Sequence, residues 1–198
     1  VNAAGVYTLL VTNTVNGCTA AATASVAADT NIVVAVANAP DTLNCLLDSV
    51  VLNTNGSSNG PAMTYLWTTS DGSIGAGANT PNPTANQPGT YQLLLTNTAN
   101  GCSATDLAVV VQNIALPNIS ITAPDTLTCA NPVQTITAQN LSLPAHFLYH
   151  WAASNGGNIQ SGTDSLHVVV NTAGTYTLTA TNPNNGCTAQ SAVNVAIE

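Results

Sequence analysis

The chain has 198 residues, 45% of them apolar and only 4% charged, with no Lys or Arg against eight acidic residues and a net charge of −8. Without cations it has nothing to neutralise nucleic-acid phosphates or to bind anionic lipid headgroups, so nucleic acid is excluded as a partner. No apolar run approaches 18 residues, which excludes membrane insertion by a helix, and the apolar fraction argues against disorder.

In chain order, GVYTLLVTNTVNGCTA (5–20) alternates apolar and polar residues into an Asn-Gly pair, the pattern of a strand entering a tight hairpin. The chain opens inside this pattern without an initiator Met or a signal peptide, and so is expected to be a piece of a longer protein. Strands are expected next at 32–37, 49–54 and 63–68, with turn signals at Pro40-Asp41, Asn55 to Gly60, Asp71-Gly72 and Pro88-Gly89. In GTYQLLLTNT (89–98), Tyr91, Leu93 and Leu95 fall on one face, and Gln92, Leu94 and Thr96 on the other. Asn100-Gly101 is expected to form a type I′ turn, with the return strand carrying LAVVV (107–111).

The same landmarks then recur. Cysteines at 18, 102 and 187 follow Asn-Gly at spacings of 84 and 85 residues. APDTLNC (39–45) returns as APDTLTC (123–129), and Tyr65-Leu66-Trp67 as Tyr149-His150-Trp151. The chain is therefore expected to hold residues 1–29 as the tail of one unit, 30–113 as a second and 114–198 as a third. Seven or so short strands per unit describe an all-β protein of tandem β-sandwiches. Met63, Tyr65 and Trp67, matched by Phe147, Tyr149 and Trp151, share alternating positions and are expected to anchor the two cores.

The five cysteines show neither CxxC nor Cys-His metal spacing. The repeat offers two pairs, Cys45 with Cys102 and Cys129 with Cys187, each pinning a hairpin tip to the body of its own unit. Each such loop is worth about 4 kcal/mol in the chain-entropy account. Cys18 is left with a partner expected upstream of residue 1, an intermolecular bond being the alternative. Disulfides imply an oxidising compartment outside the cytoplasm.

TYLWTTSDGSI (64–74) followed by QPGTYQLLLTNTANGCSAT (87–105) resembles the immunoglobulin-like and PKD-like repeats of large secreted or cell-surface proteins of Bacteroidota. Trp67, Asp71-Gly72 and Pro88-Gly89-Thr90-Tyr91 follow the PKD outline; WAASNGG (151–157) and Thr172-Ala173-Gly174 depart from it in the third unit. The Asn-Gly-Cys hairpin is similar to Cys-containing repeats of gliding or predatory marine members. The resemblance implies tandem immunoglobulin-like/PKD-like sandwiches serving as a surface stalk, filament or adhesin arm. It also implies an extracellular or cell-surface location. Four Asp-Ser/Thr-aliphatic triplets resemble the O-glycosylation sequon of that group and mark Thr42, Ser49, Thr126 and Ser165.

Candidate chemistry is sparse. His146 and His150, four apart on a strand, would sit roughly 13 Å from each other, too far to share a metal ion, and His167 stands alone. Asp41 and Asp125 come nearest to a calcium ligand set, but a turn role suits them better. No nucleophile elbow or phosphate loop occurs, so no enzyme activity, cofactor or metal is expected. Two functional classes follow: a structural or adhesive segment, or spacer repeats of a large secreted hydrolase. The expected partners are further repeats of the same chain or identical copies, and a glycan or cell-surface ligand. Binding of carbohydrate through exposed aromatics has little material, since nearly every ring has a core position.

Overall fold

The computed structural model describes residues 3–142 and 146–198. Every regular element among them is a strand, in keeping with a chain rich in Thr and Val whose apolar residues alternate between closely spaced turn signals. Among the described residues no helix is long and apolar enough to cross a membrane.

A hairpin comes first, β1 (Gly5–Thr12) against β2 (Thr19–Val26). Two sandwiches follow. In the C-terminal one, β11 (Ile119–Ile121), β12 (Gln134–Asn140), β14 (Ile159–Ser161) and β15 (His167–Val170) form a sheet in the order β11-β12-β15-β14. Against it lie β13 (Leu148–Ser154), β16 (Gly174–Thr181) and β17 (Thr188–Val195), in the order β13-β16-β17. Lettered along the chain, these sheets are ABED and CFG, the arrangement of a constant-type immunoglobulin domain. The central sandwich repeats this with β4 (Val50–Val51), β6 (Ile74–Ala76) and β7 (Thr84–Ala85) facing β5 (Met63–Thr69), β8 (Gly89–Asn97) and β9 (Ser103–Val110). The protein is thus all-β, built of tandem immunoglobulin-like sandwiches.

Two local expectations need correction. Residues 32–37 are not a strand, because their backbone is held by side chains rather than by a neighbouring strand. The Ser58 and Ser57 hydroxyls accept from the Val34 and Val36 N–H groups (3.0 and 2.8 Å), and Asp106 on β9 accepts from Ala37 (2.8 Å). The repeat-equivalent β11 does pair, with β12. The hairpin turn is also not type I′, which needs positive φ at both central residues. Only Gly101 has it (φ 75°), and Asn100 does not. The turn is instead a longer loop closed by Gly101 N–H to Asn97 O (2.8 Å) and Asn97 N–H to Cys102 O (2.8 Å). Within it the Asn97 and Asn100 side chains accept from the Ala99 and Cys102 N–H groups.

The β8 and β16 faces follow the expected alternation, but of the two expected aromatic stripes only Trp67 and Trp151 are buried. Tyr65 and Tyr149 pack half-buried against the cores, and Met63 and Phe147 lie outside the buried clusters. Tyr91, Leu93 and Leu95 are fully buried, as are Tyr176, Leu178 and Ala180. Trp67 and Trp151 sit at the centres, their indole N–H groups donating to Thr80 O (3.2 Å) and Ser165 O (2.9 Å). The Tyr91 hydroxyl donates back to Gln87 O (2.6 Å) and that of Tyr176 to Thr172 O (2.7 Å), forming the tyrosine corner of immunoglobulin folds. Leu93 and Leu178, two residues on, occupy the place where antibody domains carry a core cysteine. These cores are closed by packing, without an internal disulfide.

Candidate functional site

Strand direction decides what the cysteines can reach. β3 (Leu43–Asn44) runs parallel to β10 (Gln112–Asn113), and Leu43 N–H donates to Val111 O (3.0 Å). Cys45 therefore sits at the end of the central sandwich where the chain leaves it. The hairpin tip holding Cys102 lies at the opposite end, a β9 length away, about 30 Å at the usual strand rise. Leu127 and Ile197 repeat the parallel contact in the C-terminal sandwich, so Cys129 and Cys187 are separated in the same way.

The expected pairs Cys45–Cys102 and Cys129–Cys187 accordingly do not form. The structure instead bonds Cys45 to Cys187, with an S–S distance of 2.05 Å and Cα atoms 5.0 Å apart. The hairpin tip of the C-terminal sandwich reaches back to the exit end of the central one and is bonded there. Cys18, Cys102 and Cys129 are unpaired. Of the three cysteines after Asn-Gly, only Cys187 pins its tip, and the body it is pinned to belongs to the neighbouring sandwich.

Asn185 organises this junction. Its side-chain amide donates to Asn113 Oδ1 (3.0 Å) and to Ala115 O (2.9 Å), both on the connecting segment. Its Oδ1 accepts from Cys187 N–H (3.0 Å), and its main-chain O accepts from Cys45 N–H (3.0 Å). All these groups are satisfied while the residue is 1% exposed, as a buried amide must be. Gly186, at φ 69°, lies so close to Leu46 that a Cβ there would overlap its side chain. The tip thus combines a covalent bond, a buried amide and a glycine that admits a neighbour.

The remaining candidate residues do not converge. Thr42, Ser49, Thr126 and Ser165 are all half-buried, in or beside loops. The Ser165 hydroxyl donates to His167 O (2.6 Å) and that of Ser49 to Asp48 (3.3 Å). His150 Nδ1 lies 3.0 Å from Asp164 Oδ1, but both side chains are well exposed. His146, His167, Asp41 and Asp125 are also exposed. Among the described residues no three metal-ligating side chains gather. Among the described residues every Tyr, Trp and Phe is buried or half-buried.

One carboxylate is tuned. Asp71 Oδ1 accepts from Thr90 N–H (2.9 Å) and lies 3.2 Å from the Thr69 hydroxyl. The Thr90 N–H above all, with help from Thr69, lowers its pKa below the ordinary carboxylate value. Together they tie the Asp71-Gly72 turn to the start of β8.

No protein-family profile and no curated protein sequence matches the chain. Among solved structures, extracellular domains 3–5 of Drosophila OTK are similar at 13% identity and a TM-score of 0.40, over 98% of this chain and 71% of that one. The N-terminal eight Ig domains of Down Syndrome Cell Adhesion Molecule give 13% identity and a TM-score of 0.44, covering 97% of this chain and 31% of the other. The titin domains z1z2, in complex with telethonin, give 13% and 0.31, over 84% and 95%. These are likenesses only. The fold assignment rests on the strand order.

Proposed function

We propose that this chain is a structural or adhesive segment of an extracellular repeat protein, one that forms a surface stalk, filament or adhesin arm. The observation that carries the reading is the Cys45–Cys187 bond between sandwiches, made beside a buried, fully bonded amide. Disulfides persist outside reducing cytoplasm, and a covalent junction between successive units serves a protein whose task is to keep its length and direction. The units are residues 30–113 and 114–198, with 1–29 closing a preceding one. Partners are further repeats or identical copies, together with a glycan or cell-surface ligand.

Support for a Bacteroidota-type, PKD-like ancestry comes from Trp67, Asp71-Gly72 and Pro88-Gly89-Thr90-Tyr91. The turn carboxylate of that outline is the residue that fastens β8 in the fold. The reading includes O-linked sugars at one or more of Thr42, Ser49, Thr126 and Ser165, which would hydrate a surface nearly devoid of charge. The bare chain weighs 19.9 kDa. A native segment of that intact mass would rule the sugars out.

Immunogold labelling of native cells, with antiserum raised against this chain, tests the main reading. Gold along fibres or stalks at the cell surface is the expected result; gold confined to the cytoplasm would overturn it.

A further inference from the structure

The clamp at the second junction is visible in part at the first. Asn100 is the repeat-equivalent of Asn185, and its amide donates to Asn31 O (3.0 Å), the equivalent of Ala115 O. The connecting segments match as well: Asp29 Oδ1 accepts from Asn31 N–H (3.0 Å), as Asn113 Oδ1 accepts from Ala115 N–H (3.3 Å). On the opposite side, Thr128 and Asn131 exchange main-chain hydrogen bonds (3.2 and 3.1 Å) around Cys129. Asn44 and Leu47 do the same around Cys45 (2.9 and 3.3 Å). Both A-P-D-T-L-x-C segments thus present their sulfur from the same turn.

Burial follows how much of the preceding unit each tip meets. Asn185 and Cys187, against a whole sandwich, are buried. Asn100 and Cys102, where Asn100 meets the connecting segment at Asn31, are half-buried. Asn16 and Cys18 meet nothing and are exposed. A Cβ on Gly101 or Gly17 would find open space where Gly186 finds Leu46.

We infer that Cys18, Cys102 and Cys129 are open halves of this same inter-unit bond. Cys18 and Cys102 each take the cysteine of an A-P-D-T-L-x-C segment in the unit before. Cys129 takes the Asn-Gly-Cys tip of the unit after. A row of such bonds joins every unit to both neighbours, independently of what the protein adheres to. Each bond forms by exchange with a disulfide oxidant of the export compartment, either a thiol oxidoreductase or a small-molecule disulfide. Two protein thiols lose two electrons and two protons, and the oxidant leaves as two thiols.

The test extends the full chain at Glu198 with a second copy of residues 30–113, which continues the repeat in register. The product is oxidised with glutathione disulfide, alkylated and mapped by pepsin, since trypsin has no site. The expected map shows Cys45–Cys187 retained and Cys129 bonded to the added copy of Cys102. Alkylation of Cys129 falls from complete in the 198-residue chain to none. Cys129 left alkylated, or bonded to Cys187, would overturn the inference. Should the extended chain fail to fold, Cys187→Ala in the 198-residue chain decides: Cys45 and Cys102 both remain alkylatable if the inference holds, and a Cys45–Cys102 bond refutes it.

Discussion

At the scale of the residue, Asn185 and Asp71 carry the most specific expectations. Asn185→Ala leaves Ala115 O and Asn113 Oδ1 without their shared donor in a buried site. That should cost about 1–3 kcal/mol, read as a lower denaturation midpoint and faster reduction of Cys45–Cys187 by dithiothreitol. Asp71 has a folded-state pKa below its unfolded value of 3.8. Its contribution is therefore present above that value and is lost as pH falls through the lower, folded one. Asp71→Ala should lower the melting temperature at pH 7, and the gap from the parent should close as pH drops below the carboxylate range. Asp71 was legible in the sequence as a turn residue because the Asp71-Gly72 pair is a local turn signal. The inward ranks of Tyr91, Leu93 and Leu95 were legible for the same reason, since alternation is a property of neighbouring residues. Asn185 was not: of its four partners only Cys187 is local, the other three lying on a connecting segment some seventy residues away or in the other sandwich.

The hairpin is where reading and structure diverge at the scale of the element. Its existence and position follow from two alternating runs flanking Asn-Gly, and β8 with β9 confirms both. Its turn type does not follow, because the Asn side chains bond the loop's own N–H groups and let the chain close over four residues with one glycine in the left-handed region. The glycines also offer a clean comparison. Gly101 and Gly186 have nearly the same φ, 75° and 69°, so alanine costs each about 1–2 kcal/mol of backbone strain. Only at 186 does the new methyl group meet Leu46. Gly186→Ala should therefore destabilise more than Gly101→Ala, by about a further 1–3 kcal/mol from overpacking. The excess should vanish in a Leu46→Ala background. Chemical denaturation of the four variants reads this out directly.

Across the whole molecule, the repeat gave the architecture and misdirected the pairing. A cysteine recurring with the period of the unit is equally compatible with bonds within units and between them, since the two differ by one full period. What separates them is that β3 runs parallel to β10, a long-range pairing of two residues each that leaves no local signature. The two cores are separate, one spanning Leu43 to Val110 and the other Leu127 to Val195. Replacing Cys45 and Cys187 with Ala should therefore leave both sandwiches folded. It should remove about 5 kcal/mol of chain-entropy stabilisation for a loop of 142 residues. Far-ultraviolet circular dichroism should be unchanged, with an earlier, less cooperative denaturation.

That same bond has a mechanical meaning. Cys45 and Cys187 are 142 residues apart along the chain, yet their Cα atoms are 5.0 Å apart. Drawn out straight, that stretch would reach about 480 Å. When the two termini are pulled, tension crosses through the sulfurs, and the strands between them hang off the load path. The stretch between the sulfurs cannot be drawn out to yield slack while the bond holds. Under load, length comes only from the residues outside the loop, the β1–β2 hairpin and β3 on one side and β17 on the other, until the covalent bond is cut.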